Sequence, residues 1–306
     1  MTELLHTRAC RWVLPLMLMT PATSMAQSQN PSPMQESTRA HERLERLELR
    51  GVVDSVSGPG SATTRIFVPD HDSTDEPATL VIHFHGAAWL AEQSVAALEA
   101  DAVSAVVNVG AGSMTYDRAF SEPETFRQLV DSAARIVTER TGRMVRADQV
   151  VLTAFSAGHG AVRAILRDPD NFVRVGAVLL LDGMHTSYIP ERTVLADGGT
   201  LDESNLVAFA ELARAAIAGK KRFVITHSEI FPGTFASTTE TADWLITELG
   251  LTRQPVLTWG PRGMQQLSEV SSGAFLIQGF AGNTAPDHVD HFHAMPEMLV
   301  KLMQQE

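Results

Sequence analysis

The strongest constraint on this fold is an alternation. From about residue 41 onward, short and nearly continuous apolar runs rich in β-branched residues are separated by longer segments with helical patterning. The runs cover residues 47–53, 64–68, 79–85, 105–109, 149–155, 176–182, 222–227 and 273–279. A strand that is apolar on both faces must be covered on both, the usual condition inside a parallel sheet. Between the runs, Ser121 with Glu124, Thr200 with Glu203 and Ser237 with Glu240 have the S/T-x-x-E form of capping boxes. In such a box the hydroxyl and the carboxylate each accept one orphan backbone N–H at a helix start. Strands alternating with helices through right-handed crossovers predict an α/β fold: a mostly parallel eight-stranded sheet with helices on both faces.

The first residues read differently. Arg8 and Arg11 precede the apolar run at residues 12–19, and small residues follow, ending Ser24-Met25-Ala26. This is the layout of a secretory signal peptide cleaved after Ala26, so residues 1–26 are expected to be removed and the protein to be secreted or periplasmic. Residues 27–40, rich in Gln, Ser and Pro, are expected to be a flexible lead-in, and 41–306 the folded domain. The only cysteine, Cys10, lies before the apolar run, where a lipoprotein signal would not place it, so the mature chain must be held by its core without disulfides. The formal net charge of -12 argues against nucleic acid or anionic lipid as partners, and no later apolar stretch is long enough for a membrane span. The composition leaves the oligomeric state open.

One junction carries chemistry. The run ending Thr153-Ala154-Phe155 passes directly into Ser156-Ala157-Gly158-His159-Gly160, which has helical character until Pro169. A strand–serine–helix turn of this kind is tight, so the positions two before and two after the serine must be small, and here they are Ala154 and Gly158. It exposes a serine at a helix start, where backbone N–H groups favour developing negative charge. Ser156 cannot lose its proton near neutral pH without a base, and Asp287-His288-Val289-Asp290-His291-Phe292-His293 follows the last strand. The same segment offers metal-ligand types at short spacing, but not in the H-E-x-x-H pattern, and a serine mechanism needs neither metal nor cofactor.

The strand order, the Ala154-Phe155-Ser156-Ala157-Gly158 elbow and the His85-Gly86 turn resemble the α/β-hydrolase superfamily of serine esterases and lipases, over residues 47 to the C-terminus. Ala154 departs from its G-x-S-x-G pattern. The resemblance implies Ser156 as nucleophile and His288 as base, with His291 and then His293 as alternatives. It also implies Asp182 as the acid, at the end of the sixth strand, or else Glu229 after the seventh. For the oxyanion hole it implies Ala157 together with Gly86 or Ala87, and His83 and His85 would then position that turn. The loops at residues 185–199 and 231–236 are expected over the site, with Trp89, Met184, Tyr188, Phe231 and Phe235 as apolar pocket walls. A pocket of that kind suits a carboxylesterase acting on short-acyl or acetyl small-molecule esters. A serine peptidase or amidase, and a binding protein on a hydrolase scaffold, are the alternatives.

Overall fold

The computed structural model describes residues 39–60, 62–70, 76–98 and 100–305. The expected signal peptide, and the lead-in up to residue 38, lie outside the described residues. Ten strands form one sheet: β1 (Gly51–Ser57), β2 (Thr63–Pro69), β3 (Ala78–Phe84), β4 (Ala102–Val107), β5 (Val145–Phe155), β6 (Val175–Leu181), β9 (Arg222–His227), β10 (Gln254–Trp259), β11 (Gln265–Ser272) and β12 (Phe275–Phe280). A separate two-residue ladder pairs β7 (Tyr188–Ile189) with β8 (Thr200–Leu201). The spatial order is β1-β2-β4-β3-β5-β6-β9-β12-β11-β10. Strands β4, β3, β5, β6, β9 and β12 run parallel. The flanking strands on both sides are antiparallel. The sheet is therefore mixed and ten-stranded, not the expected eight-stranded and mostly parallel one.

The two additional strands are β10 and β11, both at one edge. Strand β10 contains Pro255 and is almost wholly exposed, whereas β11 alternates half-buried and buried residues through a polar sequence. Neither carries the continuous apolar run that marks a doubly covered strand.

Helices cover both faces. On one side Leu80, Ile82, Leu152 and Leu180 pack with Phe126, Leu129 and Val130 of the long helix α3 (Pro123–Thr141). On the other, the alternate residues Val81, Val151, Leu179 and Leu181 pack with Leu90 and Val95 of α1 (Ala88–Ala96) and with Met295, Met298 and Leu299 of the C-terminal α9 (Met295–Met303). The two-residue period of strands thus feeds both halves of the core. The remaining helices are α2 (Ser113–Ala119), α4 (His159–Leu166), α5 (Pro169–Arg174), α6 (Val207–Ile217), α7 (Thr238–Glu248) and α8 (Ala285–His293).

Of the three anticipated capping boxes, one forms: Ser237 and Glu240 cap α7 reciprocally. Ser121 instead donates its hydroxyl to the Arg118 carbonyl, and α3 starts at Pro123. Thr200 lies in β8, and the single turn at Glu203 is capped by Asp202. A further box, Thr284 with Asp287, opens α8 and uses the shorter carboxylate.

Candidate active site

Strand β5 delivers Phe155 and then turns abruptly. Ser156 has φ 48°, and a single 3₁₀ turn over Ser156–Gly158 leads into α4. Packing explains the small flanking residues: Ala154 is buried, and a Cβ on Gly158 would overlap the Phe84 carbonyl at the end of β3. A non-glycine residue at positive φ is strained by about 1–3 kcal/mol and persists only when its surroundings enforce it. Here four cluster at the carboxyl ends of β3, β5 and β6: His85 (φ 72°), Ser156, Asp182 (φ 44°) and Met184 (φ 87°).

Asp182, immediately after β6, is 2 % exposed and saturated with donors. Its Oδ1 accepts the Ser228 N–H at 2.9 Å and the Thr238 hydroxyl at 2.7 Å. Its Oδ2 accepts the Ser228 hydroxyl at 2.8 Å and lies 2.6 Å from His288 Nδ1. Burial alone would raise this carboxyl's pKa. The nearby His291, the His288 hydrogen bond and the Ser228 N–H outweigh it and hold the group well below the usual carboxylate range, so it is ionised. An ionised carboxylate cannot donate, so the hydrogen of the His288 bond sits on Nδ1, the tautomer in which a neutral imidazole presents its lone pair on Nε2. The His288 ring also packs on Phe155, with 4.6 Å between ring centroids, so it lies beside the residue preceding Ser156. The Thr284–Asp287 box places His288 in the first turn of α8, where its N–H donates to Thr284 O.

The other histidines of α8 have different partners. His291 is buried, with Nδ1 2.8 Å from the Thr226 hydroxyl and its ring edge-on to Phe280. His293 Nδ1 accepts the Leu44 N–H at 3.0 Å. The structure therefore brings His288 to Asp182 and places His291 and His293 elsewhere. The alternative acid Glu229 is exposed, and its backbone N–H donates to Gly282 O.

The turn after β3 is held from below. His83 is fully buried, with Nε2 2.9 Å from the His85 carbonyl and Nδ1 2.9 Å from the Thr153 hydroxyl. Burial pushes its pKa down to about 3, so it is neutral and acts as a brace. The His85 ring lies 3.0 Å from the Tyr116 hydroxyl. Gly86, at φ 128°, leaves no room for a Cβ against the Phe292 ring. Its N–H donates to Asn108 Oδ1 at 2.9 Å while its carbonyl accepts Asn108 Nδ2 at 3.0 Å, so Gly86 is already engaged. That leaves Ala87, exposed at the start of α1, and Ala157, in the first helical turn after the serine, where N–H groups lack intrahelical acceptors. Asn108 had no signal in the sequence beyond its position after β4.

A cleft of about 420 Å³ opens on Ser156 and Ala157, bounded by His85, residues 111–114, His159, Arg163, residues 185–187, Asn205 and Phe235. The two loops expected over the site do meet there: Ala236 N–H donates to Thr186 O, and His185 Nδ1–H donates to Ala236 O. Of the expected walls, only Phe235 lines the cleft. Met184 is core, and Tyr188 is buried with its hydroxyl donating to Glu240. Phe231 is largely exposed, and Trp89 lines a separate groove with Arg46 and Glu92. The loops contribute mostly polar residues to the wall, His185, Thr186 and Ser187 beside Phe235. His159, with Nδ1 on the Ser156 carbonyl, is pushed down to about 3 by burial and is neutral.

Among the described residues metal-ligand types converge once: His41, Asp287 and Asp290 hold ligand atoms within 4.8 Å of one another. The Asp290 carboxylate is, however, already matched by Arg43 Nη1 and His41 Nδ1, each at 2.7 Å. Among the described residues no helix is long and apolar enough to cross a membrane.

The architecture is α/β, a mixed sheet covered by helices on both faces. No protein-family model matches the chain, and no curated protein sequence is similar to it. Solved structures similar in fold include a thermostable esterase at 14 % identity and TM-score 0.49, covering 83 % of this chain and 62 % of that one. An esterase from Pyrobaculum calidifontis is 11 % identical at TM-score 0.47, covering 83 % of this chain and 84 % of its own. The enterobactin esterase from Shigella flexneri is 15 % identical at TM-score 0.49, covering 86 % and 61 % respectively. This chain thus spans less than two thirds of the first and third of these proteins.

Proposed function

We propose that this protein is a serine carboxylic-ester hydrolase, exported after cleavage at Ala26, acting on short-acyl or acetyl esters through Ser156, His288 and Asp182. The observation that carries the reading is the 2.6 Å bond between buried, ionised Asp182 and His288, whose ring packs on Phe155 next to the strained Ser156. In this reading His288 Nε2 takes the Ser156 proton as Oγ attacks the ester carbonyl, and Asp182 stabilises the imidazolium without itself being protonated. The Ala87 and Ala157 N–H groups receive the oxyanion, each such donor contributing about 3–4 kcal/mol. The imidazolium then protonates the departing alcohol. A water molecule, deprotonated by the same Nε2, attacks the acyl-serine, and collapse returns the proton to Ser156.

A fluorophosphonate probe followed by peptide mapping tests this directly. Label on the peptide carrying Ser156 is the expected result; label confined to another serine, or none, overturns it.

A further inference from the structure

The cleft wall holds a guanidinium that the ester chemistry does not use. Arg163 lies on α4, seven residues after Ser156, and lines the same cleft. The residue is 3 % exposed, and it borders the cleft.

Its nitrogens are unevenly used. Nε donates to Asp117 Oδ2 at 2.7 Å, and Nη2 lies 3.9 Å from the Met114 sulfur, a weak acceptor. Nη1 has no acceptor among the described residues. Asp117 does not balance the charge alone, because Arg167 Nη1 also binds its carboxylate, at 3.2 Å from Oδ2. Two guanidinium groups therefore share one carboxylate beside the cleft of a chain whose net charge is -12. Helix α2 cannot move off to release this contact cheaply, since α4 abuts it so closely that a Cβ on Gly160 would overlap the Ser113 carbonyl. A guanidinium edge without a protein acceptor beside a cleft can take an anion, and its planar fork matches a carboxylate.

We propose that Arg163 selects substrates: the cleft takes esters that also carry a carboxylate, a few bonds from the scissile carbonyl, which Arg163 binds. This rests on the hydrolase reading above. The carboxylate sits in either the acyl or the alcohol part, and two pairs of near-isosteric esters separate these. Mono-p-nitrophenyl adipate against p-nitrophenyl hexanoate probes the acyl side. 4-Acetoxybenzoate against its methyl ester probes the alcohol side.

In the wild-type protein, one pair is expected to show kcat/KM at least about tenfold higher for the anionic member, a ratio that shrinks with added salt. Arg163→Gln is expected to bring that ratio close to one, and Arg163→Lys to retain part of it, whatever happens to absolute rates. A purely structural Arg163 would change both members of a pair together. Turnover of the esters with no anionic preference in either pair overturns the Arg163 proposal and leaves the hydrolase reading intact. The wild-type ratios decide this even if the variants fail to fold. No turnover of any of the four esters overturns both.

Discussion

If Ser156, His288 and Asp182 act as the proposed triad, removing the serine or the histidine alone costs nearly as much as removing all three. Ser156→Ala and His288→Ala are each expected to lower kcat on a small acetyl ester by roughly 10⁴-fold or more, with circular dichroism unchanged. His291→Ala is expected to lose far less rate and to act mainly on stability through its contact with Thr226. If His291→Ala is inactive while His288→Ala turns over, the base is misassigned. EDTA is expected to leave activity unchanged, since Asp290 already has two cationic or hydrogen-bonding partners. Zinc-restored loss would contradict that. The candidacy of Asp182 and His288, which the fold pairs, was legible because each sits at a sequence landmark, the abrupt end of an apolar strand and the segment after the last strand. The placement of Asn108 against Gly86, and of Arg163 and His185 in the cleft beside Ser156, was not, because it depends on which loops meet over the sheet edge.

Helices and strands carry the site by close approach as much as by hydrogen bonding. Gly158 has φ -59°, which any residue can adopt, so its need is for space alone: a Cβ there meets the Phe84 backbone, which cannot yield as a side chain can. Gly158→Ala is accordingly expected to destabilise by about 1–3 kcal/mol in urea unfolding and to lower esterase activity as the elbow shifts. An unchanged midpoint would show that β3 and β5 can separate freely. The six parallel strands were legible from their apolar runs, with ends displaced by a few residues. The polar hairpin of β10 and β11 was not, because β10 is almost wholly exposed and the buried face of β11 is Gln266, Ser268 and Val270, so neither shows an apolar alternation. Two capping boxes failed for a related reason: a four-residue string specifies a cap only if a helix begins there, and the tertiary structure started those helices elsewhere.

Across the whole molecule, several neutral histidines lie inside the fold. Burial lowers the pKa of His83 and His159 to about 3 and that of His227 to about 4, from 6.5. Their folded values lie below their unfolded ones, so between about pH 6.5 and 4 the unfolded chain binds more protons, and stability is full above that window and lost on acidification. Each such histidine contributes about 1.4 kcal/mol per pH unit. The unfolding midpoint in urea is therefore expected to fall steeply from pH 7 to pH 5, and His227→Asn to flatten the dependence; a flat wild-type profile would contradict the burial. Removal of residues 1–26 is checked by N-terminal sequencing of exported protein, with Gln27 expected first. The four positive-φ residues at the strand ends have an evolutionary side. A variant library sorted for heat resistance alone would be rewarded for relaxing Ser156 to glycine, which relieves backbone strain with little packing lost while removing the proposed nucleophile; at buried Asp182 and Met184, lost hydrogen bonds and packing outweigh the relief. Improvement of this protein by thermal selection therefore has to be coupled to a turnover screen, or the winners will be well-folded and inert.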